Sequence, residues 1–480
     1  MGTIFIAIFQ RKRIRPLDRN NSIPPLFPRK EHQMIKRYIT VDFSKRTGRL
    51  KCITGANTGP AFGINMEYSF IDEYKEMGVG AVRTHNVEHP YGAGRYVDVH
   101  CIFPDFSLDP RFEGSYNFAP TDRYFYLIKE SGAEIFLRIG ESSEPYETRL
   151  FNRTPADLDK WISVVEHIIA HYNRGWANGF KLGIKYCELP CDVDEDFGWS
   201  SEKEEYFELY RRTATRLKEV FPKLRVGAYS AGGFYSLNHF NGSERQKYYV
   251  SHLEAFLAYV SKKPTAAPLD FLTWKCCAES PEELSLHANY ARSYLNQWGL
   301  KKTQSIVSEF SLKPMKEPHY LRRAYPAELS SSLIIAQKSS IDMLFLSHMS
   351  PFDLSCPLYS LQDRTTKHKY APYRVMAAIG KLCALGNTVD VSEDYRRELY
   401  SLAAADENEG AILVVTRDFD GQIELNVRSG DFSCYSIKGM IGGGDRGVGF
   451  STGESNIPLR SGSINLKAGK NEVYLVTLTK

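Results

Sequence analysis

The sequence carries little net charge for its length. Its 61 Lys and Arg residues nearly balance its 57 Asp and Glu residues, which leaves a formal net charge of +4 on 480 residues. The basic residues are spread along the chain without a dense run, whereas nucleic-acid-binding proteins concentrate them in patches. The composition therefore argues against nucleic acid as a partner.

Long apolar runs are also missing. The opening segment, MGTIFIAIFQRKRIRP, places a short apolar run before a basic cluster. This order is the reverse of that in a secretory signal peptide, and the run is too short to span a bilayer. We therefore expect a cytoplasmic protein with no membrane partner and a loosely ordered N-terminal arm over residues 1–36. The sequence leaves the oligomeric state open, a homo-oligomer included.

The nine cysteines lack both the pattern of a disulfide framework and the repeated C-x2-C spacing of a common zinc motif. An odd count in a large chain argues against a set of paired disulfides. Four of the nine fall in two tight pairs, Cys187 with Cys191 and Cys276 with Cys277. This clustering leaves metal binding open.

No glycine-rich phosphate loop opens the first strand-helix unit, which argues against a doubly wound nucleotide-binding sheet. From about residue 60 to 385, short apolar strands alternate with amphipathic helical patterns. The strand AEIFLRIGE (133–141) followed by the helix DLDKWISVVEHIIAHYN (157–173) is one example. Such repeated units favour parallel strands. They predict an α/β fold built as a closed (β/α)8 TIM barrel over residues 37–388, with an open doubly wound sheet as the competing fold.

Beyond residue 388 the pattern changes. Short strands with period-2 character, such as QIELNVRS and NEVYLVTLTK, are separated by Gly, Asp and Asn turns. This pattern is typical of antiparallel sheets. We therefore predict a small antiparallel β-sandwich as an accessory domain over residues 389–480.

Polar side chains gather at the carboxyl ends of the predicted barrel strands, where the functional groups of such barrels converge. They are Arg83, His85, Asn86, Arg138, Glu141, Cys187, Glu188, Cys191, Asp192, Trp274, Lys275, Cys276, Cys277, Glu309 and His348. A barrel mouth rich in carboxylates suits glycoside hydrolysis, in which one carboxylate attacks the anomeric carbon and another protonates the leaving oxygen.

Several of these segments resemble family 39 glycoside hydrolases, which are retaining barrels of clan A. The resemblance rests on VRTHNVEHP, FPDFSLDPRFEGSYNFAPTD and FLRIGESSE, and continues through IKYCEL, DFLTW, SIVSEFS and YAPYRVMAAIGKLCALGN, roughly residues 40 to 390. It implies that Glu309, at the end of the seventh strand, is the nucleophile and that His85 lines the sugar subsite. The neighbouring strand ends add further predicted substrate-binding residues, namely Arg83, Asn86, Glu141 and His348.

The fourth strand departs from the family pattern. Relatives carry an aromatic-Glu-aliphatic-aromatic-Asn-Glu-Pro sequence, whose last Glu is the acid/base and whose Asn bonds the sugar 2-hydroxyl. Aligning the Asn-Glu pair of this pattern with the CD of YCELPCDVD places Cys191 at the Asn and Asp192 at the acid/base. A shifted match makes Glu188 the acid instead, and both alternatives stay open.

The sixth strand departs as well. Relatives have a His closely followed by a Tyr, whereas this chain has TWKCCAES with Lys275 at the His. A charged lysine cannot accept a proton, but it can hold an anionic group or depress the pKa of a carboxyl. Trp274 is a predicted stacking platform for a sugar face, unless it packs against the barrel.

The paired cysteines suggest a second chemistry. Thiolates with one carboxylate form a tetrahedral zinc shell, and retaining glycosidases with a zinc-bound cysteine nucleophile exist on a different fold. Because adjacent residues of a strand point to opposite faces, Cys276 and Cys277 reach one metal only if a bulge or loop follows Trp274.

The sequence thus predicts a retaining glycoside hydrolase acting on oligosaccharides, by resemblance a β-xylosidase or arabinosidase. Glu309 is the predicted nucleophile, Asp192 or Glu188 the acid/base, and no cofactor is required. One alternative is a zinc-thiolate glycosidase that uses the four paired cysteines. The other alternative is a non-catalytic carbohydrate-binding relative. A protein that no longer catalyses the reaction could lose the family's residues on the fourth and sixth strands, and this chain lacks them.

Overall fold

The computed structural model describes residues 35–87, 96–144, 150–195, 198–233, 241–313, 322–353, 355–361, 366–393, 397–428, 430–441 and 451–480. The predicted N-terminal arm lies outside the described residues up to residue 34. From Lys36 to Lys480 the chain forms one compact unit.

The described residues contain 22 strands. They are β1 (Lys36–Arg49), β2 (Cys52–Asn57), β3 (Ala61–Phe62), β4 (Tyr68–Ser69), β5 (Ala81–Arg83), β6 (Glu134–Arg138), β7 (Tyr186–Glu188), β8 (Arg225–Ala231), β9 (Phe271–Ala278), β10 (Gln304–Leu312), β11 (Met343–Leu346), β12 (Tyr359–Leu361), β13 (Lys367–Lys369), β14 (Asn387–Ser392), β15 (Leu399–Ala405), β16 (Glu409–Thr416), β17 (Gly421–Arg428), β18 (Cys434–Ile441), β19 (Ser451–Thr452), β20 (Ile457–Pro458), β21 (Ser463–Ala468) and β22 (Glu472–Thr479).

The helices of the described residues are α1 (Ile71–Glu76), α2 (Val99–Ile102), α3 (Ala119–Glu130), α4 (Leu158–Arg174), α5 (Lys203–Val220), α6 (Glu244–Ser261), α7 (Pro281–Gln297), α8 (Tyr325–Lys338) and α9 (Ala371–Leu385). Their ends follow local chemistry. The side chain of Asp157 caps α4 by accepting the N–H of Lys160, and Gly175 ends the helix in the left-handed conformation. Within the described residues, no helix is long and apolar enough to cross a membrane.

Eight parallel strands close into a barrel in the order β2, β5, β6, β7, β8, β9, β10, β11. Helices follow most of these strands and pack around them, as the alternation of the sequence predicts. The predicted (β/α)8 barrel with a following antiparallel sheet domain is confirmed. The open doubly wound sheet is wrong, because β11 pairs with β2 and closes the ring.

The barrel interior has two layers of different character. The lower layer is an apolar cluster that includes Phe136, Phe271, Ile306 and Phe345. Side chains two residues further along the same strands point to the same side, since strand side chains alternate. Those later positions are polar, so the upper layer at the carboxyl ends of the strands carries the titratable groups.

The second domain is one sheet of ten strands. Nine follow the order β19, β18, β22, β16, β15, β14, β1, β17, β21, and β20 pairs with β18. The strand β1 lies antiparallel to β14 and parallel to β17. Residues 37–49, which the sequence-based division assigns to the barrel, therefore lie in this sheet.

The sheet also differs from a simple inside-outside alternation. Along β16, Ile412 and Val414 join the core of the sheet, whereas Leu413 and Val415 join the core of the barrel. This strand is apolar on both faces because α9 packs against its second face. The sheet is thus attached to the barrel through shared apolar contacts.

Candidate active site

The polar upper layer of the barrel is built on a buried ion pair. Arg83 Nε lies 2.7 Å from Glu188 Oε2, and both side chains are fully buried. The hydroxyl of Thr273 donates to Glu188 Oε1 at 2.6 Å, and Arg83 Nη1 donates to Asn57 Oδ1 at 2.9 Å. Both oxygens of Glu188 are therefore bound by side chains below the barrel mouth, one by Arg83 and the other by Thr273. Glu188 therefore forms the floor of the site, and its burial and contacts favour Asp192 over Glu188 as the candidate acid/base.

A bulge in β10 directs Glu309 toward the mouth. In the pairing with β9, Val307 lies opposite Trp274 and Glu309 lies opposite Lys275, so Ser308 is an extra residue. The extra residue changes the direction of the side chains that follow it. As a result, Glu309 and Lys275 are lateral neighbours on adjacent strands.

One oxygen of Glu309 faces three nitrogen atoms. Glu309 Oε1 lies 3.4 Å from His85 Nε2, 3.5 Å from Lys275 Nζ and 3.6 Å from Arg83 Nη1. This oxygen is buried and has no hydrogen-bond partner among the described residues, yet 21% of the side chain is exposed. The exposed part of the carboxylate is the part that a ligand can approach.

Asp192 lies on the other side of Lys275. Its Oδ1 is 2.8 Å from Lys275 Nζ, and its side chain is only 2% exposed. Burial by itself raises the pKa of Asp192, but Lys275 and the other neighbouring charges together lower it more, so the pKa lies well below its usual range. Burial lowers the pKa of Lys275, and the neighbouring carboxylates of Asp192 and Glu309 raise it above its usual value. One ammonium thus bridges two carboxylates.

His85 is neutral in this environment. Burial and the nearby Arg83 charge hold the pKa of His85 well below its usual range. The amide nitrogen of Asn86 lies 3.1 Å from His85 Nε2, and the N–H of Ser143 donates to Asn86 Oδ1 at 3.0 Å. The predicted substrate-binding residues Arg83, His85 and Asn86 therefore lie together beside Glu309.

The four paired cysteines do not converge. Cys187 and Cys276 face the helices outside the barrel, and Cys276 Sγ lies 3.5 Å from His287 Nδ1 on α7. The strand β9 continues regularly beyond Trp274, so the alternation separates Cys276 from Cys277. The four-cysteine zinc site is therefore wrong.

Cys191 is the one member of the set that reaches the site. Its sulfur lies 3.4 Å from Arg138 Nε and 3.8 Å from His85 Nδ1. Among the described residues it forms a group of metal-ligating type only with His85 and Asp192. Burial raises the pKa of Cys191 to about 12. A neutral thiol beside arginine and lysine charges does not fit a cation site.

Three further predicted residues lie in different surroundings. Trp274 is fully buried on the outer face of β9, where its indole N–H donates to Ser305 Oγ at 3.0 Å. It is packing for the helices, and its prediction as a sugar platform is wrong because β9 alternates Thr273 and Lys275 inward. His348 lies after β11, and its Nδ1 is 2.6 Å from Asp353 Oδ2.

Glu141 follows β6 and pairs with His100. Burial raises the pKa of Glu141 to about 7. Sequence reasoning missed His100, and it also missed Asn57 and Thr273. Asn57 is the last residue of β2 and would have been found by applying the strand-end rule to that strand. Thr273 could have been found from the inward alternation that selects Lys275.

Glycoside hydrolase barrels carry paired carboxylates at the carboxyl ends of their strands, and this chain has the same arrangement. The model of glycosyl hydrolases family 39 matches residues 73–321. The chain belongs to this family, which confirms the resemblance drawn from the sequence. Glycosidases of the family typically need no cofactor.

Individual relatives are distant. A β-xylosidase from Geobacillus stearothermophilus is 24% identical over 299 residues, which are 56% of this chain and 55% of that protein. The chain thus spans about half the length of this curated relative. The fold is also similar to that of a glucosidase from Croceicoccus marinus, with a TM-score of 0.73 and 20% identity, over 93% of this chain and 99% of that one. A GH39 enzyme from Xanthomonas axonopodis pv. citri gives a TM-score of 0.67 and 16% identity, over 95% and 99% of the two chains.

Proposed function

We propose that the protein is a retaining glycoside hydrolase in which Glu309 is the nucleophile. The observation that carries this proposal is the environment of Glu309, whose Oε1 faces His85, Lys275 and Arg83 while part of the carboxylate stays exposed. The exposed part of this carboxylate faces the barrel mouth, where it can act as the attacking group. Glu309 attacks the anomeric carbon, the bond to the leaving oxygen breaks, and a covalent glycosyl-enzyme forms.

Asp192 is the proposed acid/base. It follows β7 and shares the Lys275 ammonium with Glu309, so the two carboxylates lie on either side of one cation in the barrel mouth. A pair of neighbouring carboxyl groups, about 5–5.5 Å apart in retaining enzymes, is what this mechanism needs. To donate a proton to the leaving oxygen, Asp192 must first lose its contact with the Lys275 ammonium, since that contact holds its pKa low. Water then attacks the glycosyl-enzyme, and Asp192 takes up the proton of that water. Leaving groups that need no protonation, such as nitrophenolate, are expected to react fastest.

The proposed substrate is a pentoside, of the β-xyloside type that the name of the Geobacillus stearothermophilus relative indicates for that protein. The name of the Croceicoccus marinus neighbour indicates a glucoside. Hexosides therefore belong in any substrate panel.

The test is hydrolysis of 4-nitrophenyl pentosides and hexosides by the wild-type protein and by Glu309→Gln. We expect turnover on at least one wild-type substrate and its loss in the variant. A 2-deoxy-2-fluoro glycoside of the same sugar should add one glycosyl mass to the peptide that contains Glu309. Glu134→Gln is the matched control, because Glu134 is half exposed at the amino end of β6. Equal turnover by Glu309→Gln and the wild type would refute the assignment.

The low pKa of Asp192 also favours a second candidate, a protein that binds glycosides without cleaving them. A carboxylate held by Lys275 at 2.8 Å supplies no acid. This candidate predicts calorimetric binding of a glycoside without hydrolysis of any member of the panel.

A further inference from the structure

A partly exposed aromatic ring lies on the loop that follows β6. The ring of Phe151 stacks on the imidazole of His100 with 3.9 Å between centroids and 2° between the planes. Phe151 is nevertheless 40% exposed. Since His100 covers one face of the ring, the exposed area belongs to its edge and its opposite face.

The backbone beneath this ring is fixed by a buried carboxylate. Glu144, which is 3% exposed, accepts the N–H groups of Leu150 at 3.1 Å, Phe151 at 3.0 Å and Asn152 at 2.8 Å. The side-chain amide of Asn152 donates to the carbonyl of Ser142 at 2.8 Å. A charged acceptor with three donors makes strong hydrogen bonds. The ring is therefore held in place before any ligand arrives.

The supporting imidazole is fixed as well. His100 Nδ1 pairs with Glu141 Oε2, and the backbone N–H of His100 donates to Glu141 Oε1 at 3.2 Å. Glu141 lies three residues beyond the end of β6. The stacked pair thus stands at the carboxyl end of the barrel.

A short chain of contacts connects the stacked pair with the candidate catalytic groups. Ser143, next to Glu144, bonds Asn86, and Asn86 contacts His85, whose Nε2 lies 3.4 Å from Glu309. In the closed barrel, β6 also lies opposite β10, the strand that carries Glu309. The loop that carries Phe151 therefore begins on the side of the barrel opposite the strand of the nucleophile.

The loop that carries Asp192 reaches the same place. The N–H and the hydroxyl of Ser200, further along that loop, donate to the carbonyl of Asn152 at 3.0 and 3.1 Å. The acid/base donates to the leaving oxygen, so the leaving group extends over the loops after β6 and β7. Phe151 belongs to the first of these two loops.

We propose that Phe151, supported by His100, forms the subsite for the leaving group. This inference rests on the proposed function, which defines the glycone side and the leaving-group side. The chemistry that fits is a flat ring with an apolar face, which either an aryl group or the face of a second sugar supplies.

Calorimetry on the Glu309→Gln protein tests the subsite without turnover. The probes are 4-nitrophenyl β-D-xyloside, xylobiose and methyl β-D-xyloside, which share a glycone and differ in the leaving group. Adding Phe151→Ala should weaken binding of the aryl glycoside or the disaccharide by roughly two- to tenfold and leave the methyl glycoside unchanged. Weaker binding of the aryl probe alone identifies a site for an aryl group, and weaker binding of xylobiose identifies a site for a second sugar.

Two variants sharpen the result. Phe151→Tyr keeps the ring and should keep the preference, whereas Tyr126→Ala removes an exposed aromatic side chain from the outer helix α3 and should change nothing. Equal weakening of all three probes, no preference of the intact protein for the ring-bearing probes, or no change in Phe151→Ala would overturn the subsite. If the wild-type protein hydrolyses no substrate but Phe151→Ala still weakens binding of the ring-bearing probes selectively, the subsite stands and the proposed function is refuted.

Discussion

Replacing Lys275 with methionine removes the ammonium that bridges the two candidate catalytic carboxylates. Lys275 Nζ lies 2.8 Å from Asp192 and 3.5 Å from Glu309. Two unit charges 4 Å apart interact by about 4 kcal/mol at an effective dielectric constant near 20, so each of these contacts is worth several kcal/mol before relaxation. Arg83 and its charge remain and offset part of the loss.

The substitution should change the pKa of Asp192, the proposed acid. A neighbouring cation lowers the pKa of a carboxyl by roughly 1–3, so its removal raises the pKa of Asp192. The protonated acid is the active form, and its rate contribution falls as the pH rises through its pKa. We therefore expect the alkaline limb of kcat/KM for a methyl glycoside to move upward by roughly one to three pH units in Lys275→Met. At pH 7 the methyl to 4-nitrophenyl ratio of kcat/KM should rise about tenfold or more.

The assay compares pH profiles for the methyl and 4-nitrophenyl glycosides of one sugar. Lys275→Arg is the matched control, because it keeps the charge and should keep the wild-type ratio. Thermal unfolding must accompany the rates, since leaving the buried Asp192 without its partner costs about 3–5 kcal/mol. An unchanged ratio and an unchanged limb in folded Lys275→Met would refute the reasoning.

Two further predictions concern stability. Glu188→Gln removes the anionic partner of the buried Arg83, so the free energy of unfolding in urea should fall by about 3–5 kcal/mol, and a loss below about 1 kcal/mol would contradict the role of this pair. His85 has a folded-state pKa well below its unfolded value near 6.5, because burial and Arg83 oppose its charge. The unfolded chain therefore binds the extra proton, and stability falls as the pH drops below about 6.5, by up to about 1.4 kcal/mol per pH unit. Urea unfolding at pH 7 and pH 5 should show a smaller decrease in His85→Gln than in the wild type, and equal decreases would contradict this assignment.

Local sequence patterns are enough to predict the class of fold and the region of the site. Alternating strands and helices require parallel pairing, and the carboxyl ends of parallel strands meet at one edge. That rule brings Glu309, Asp192, Lys275 and His85 to the mouth from sequence alone. The same local logic separates Cys276 from Cys277, because neighbouring strand residues face opposite sides.

Which faces and which strands come together depends on long-range packing. The direction of a strand's side chains is fixed by the register with its neighbours, so Trp274 could face the mouth or the helices until β9 had paired. The extra residue Ser308, which brings Glu309 opposite Lys275, appears only in the pairing of β10 with β9. The strand β1 joins β14 and β17, which lie more than three hundred residues further along the chain. Contacts of this kind are set by packing across the whole molecule, and no local pattern records them.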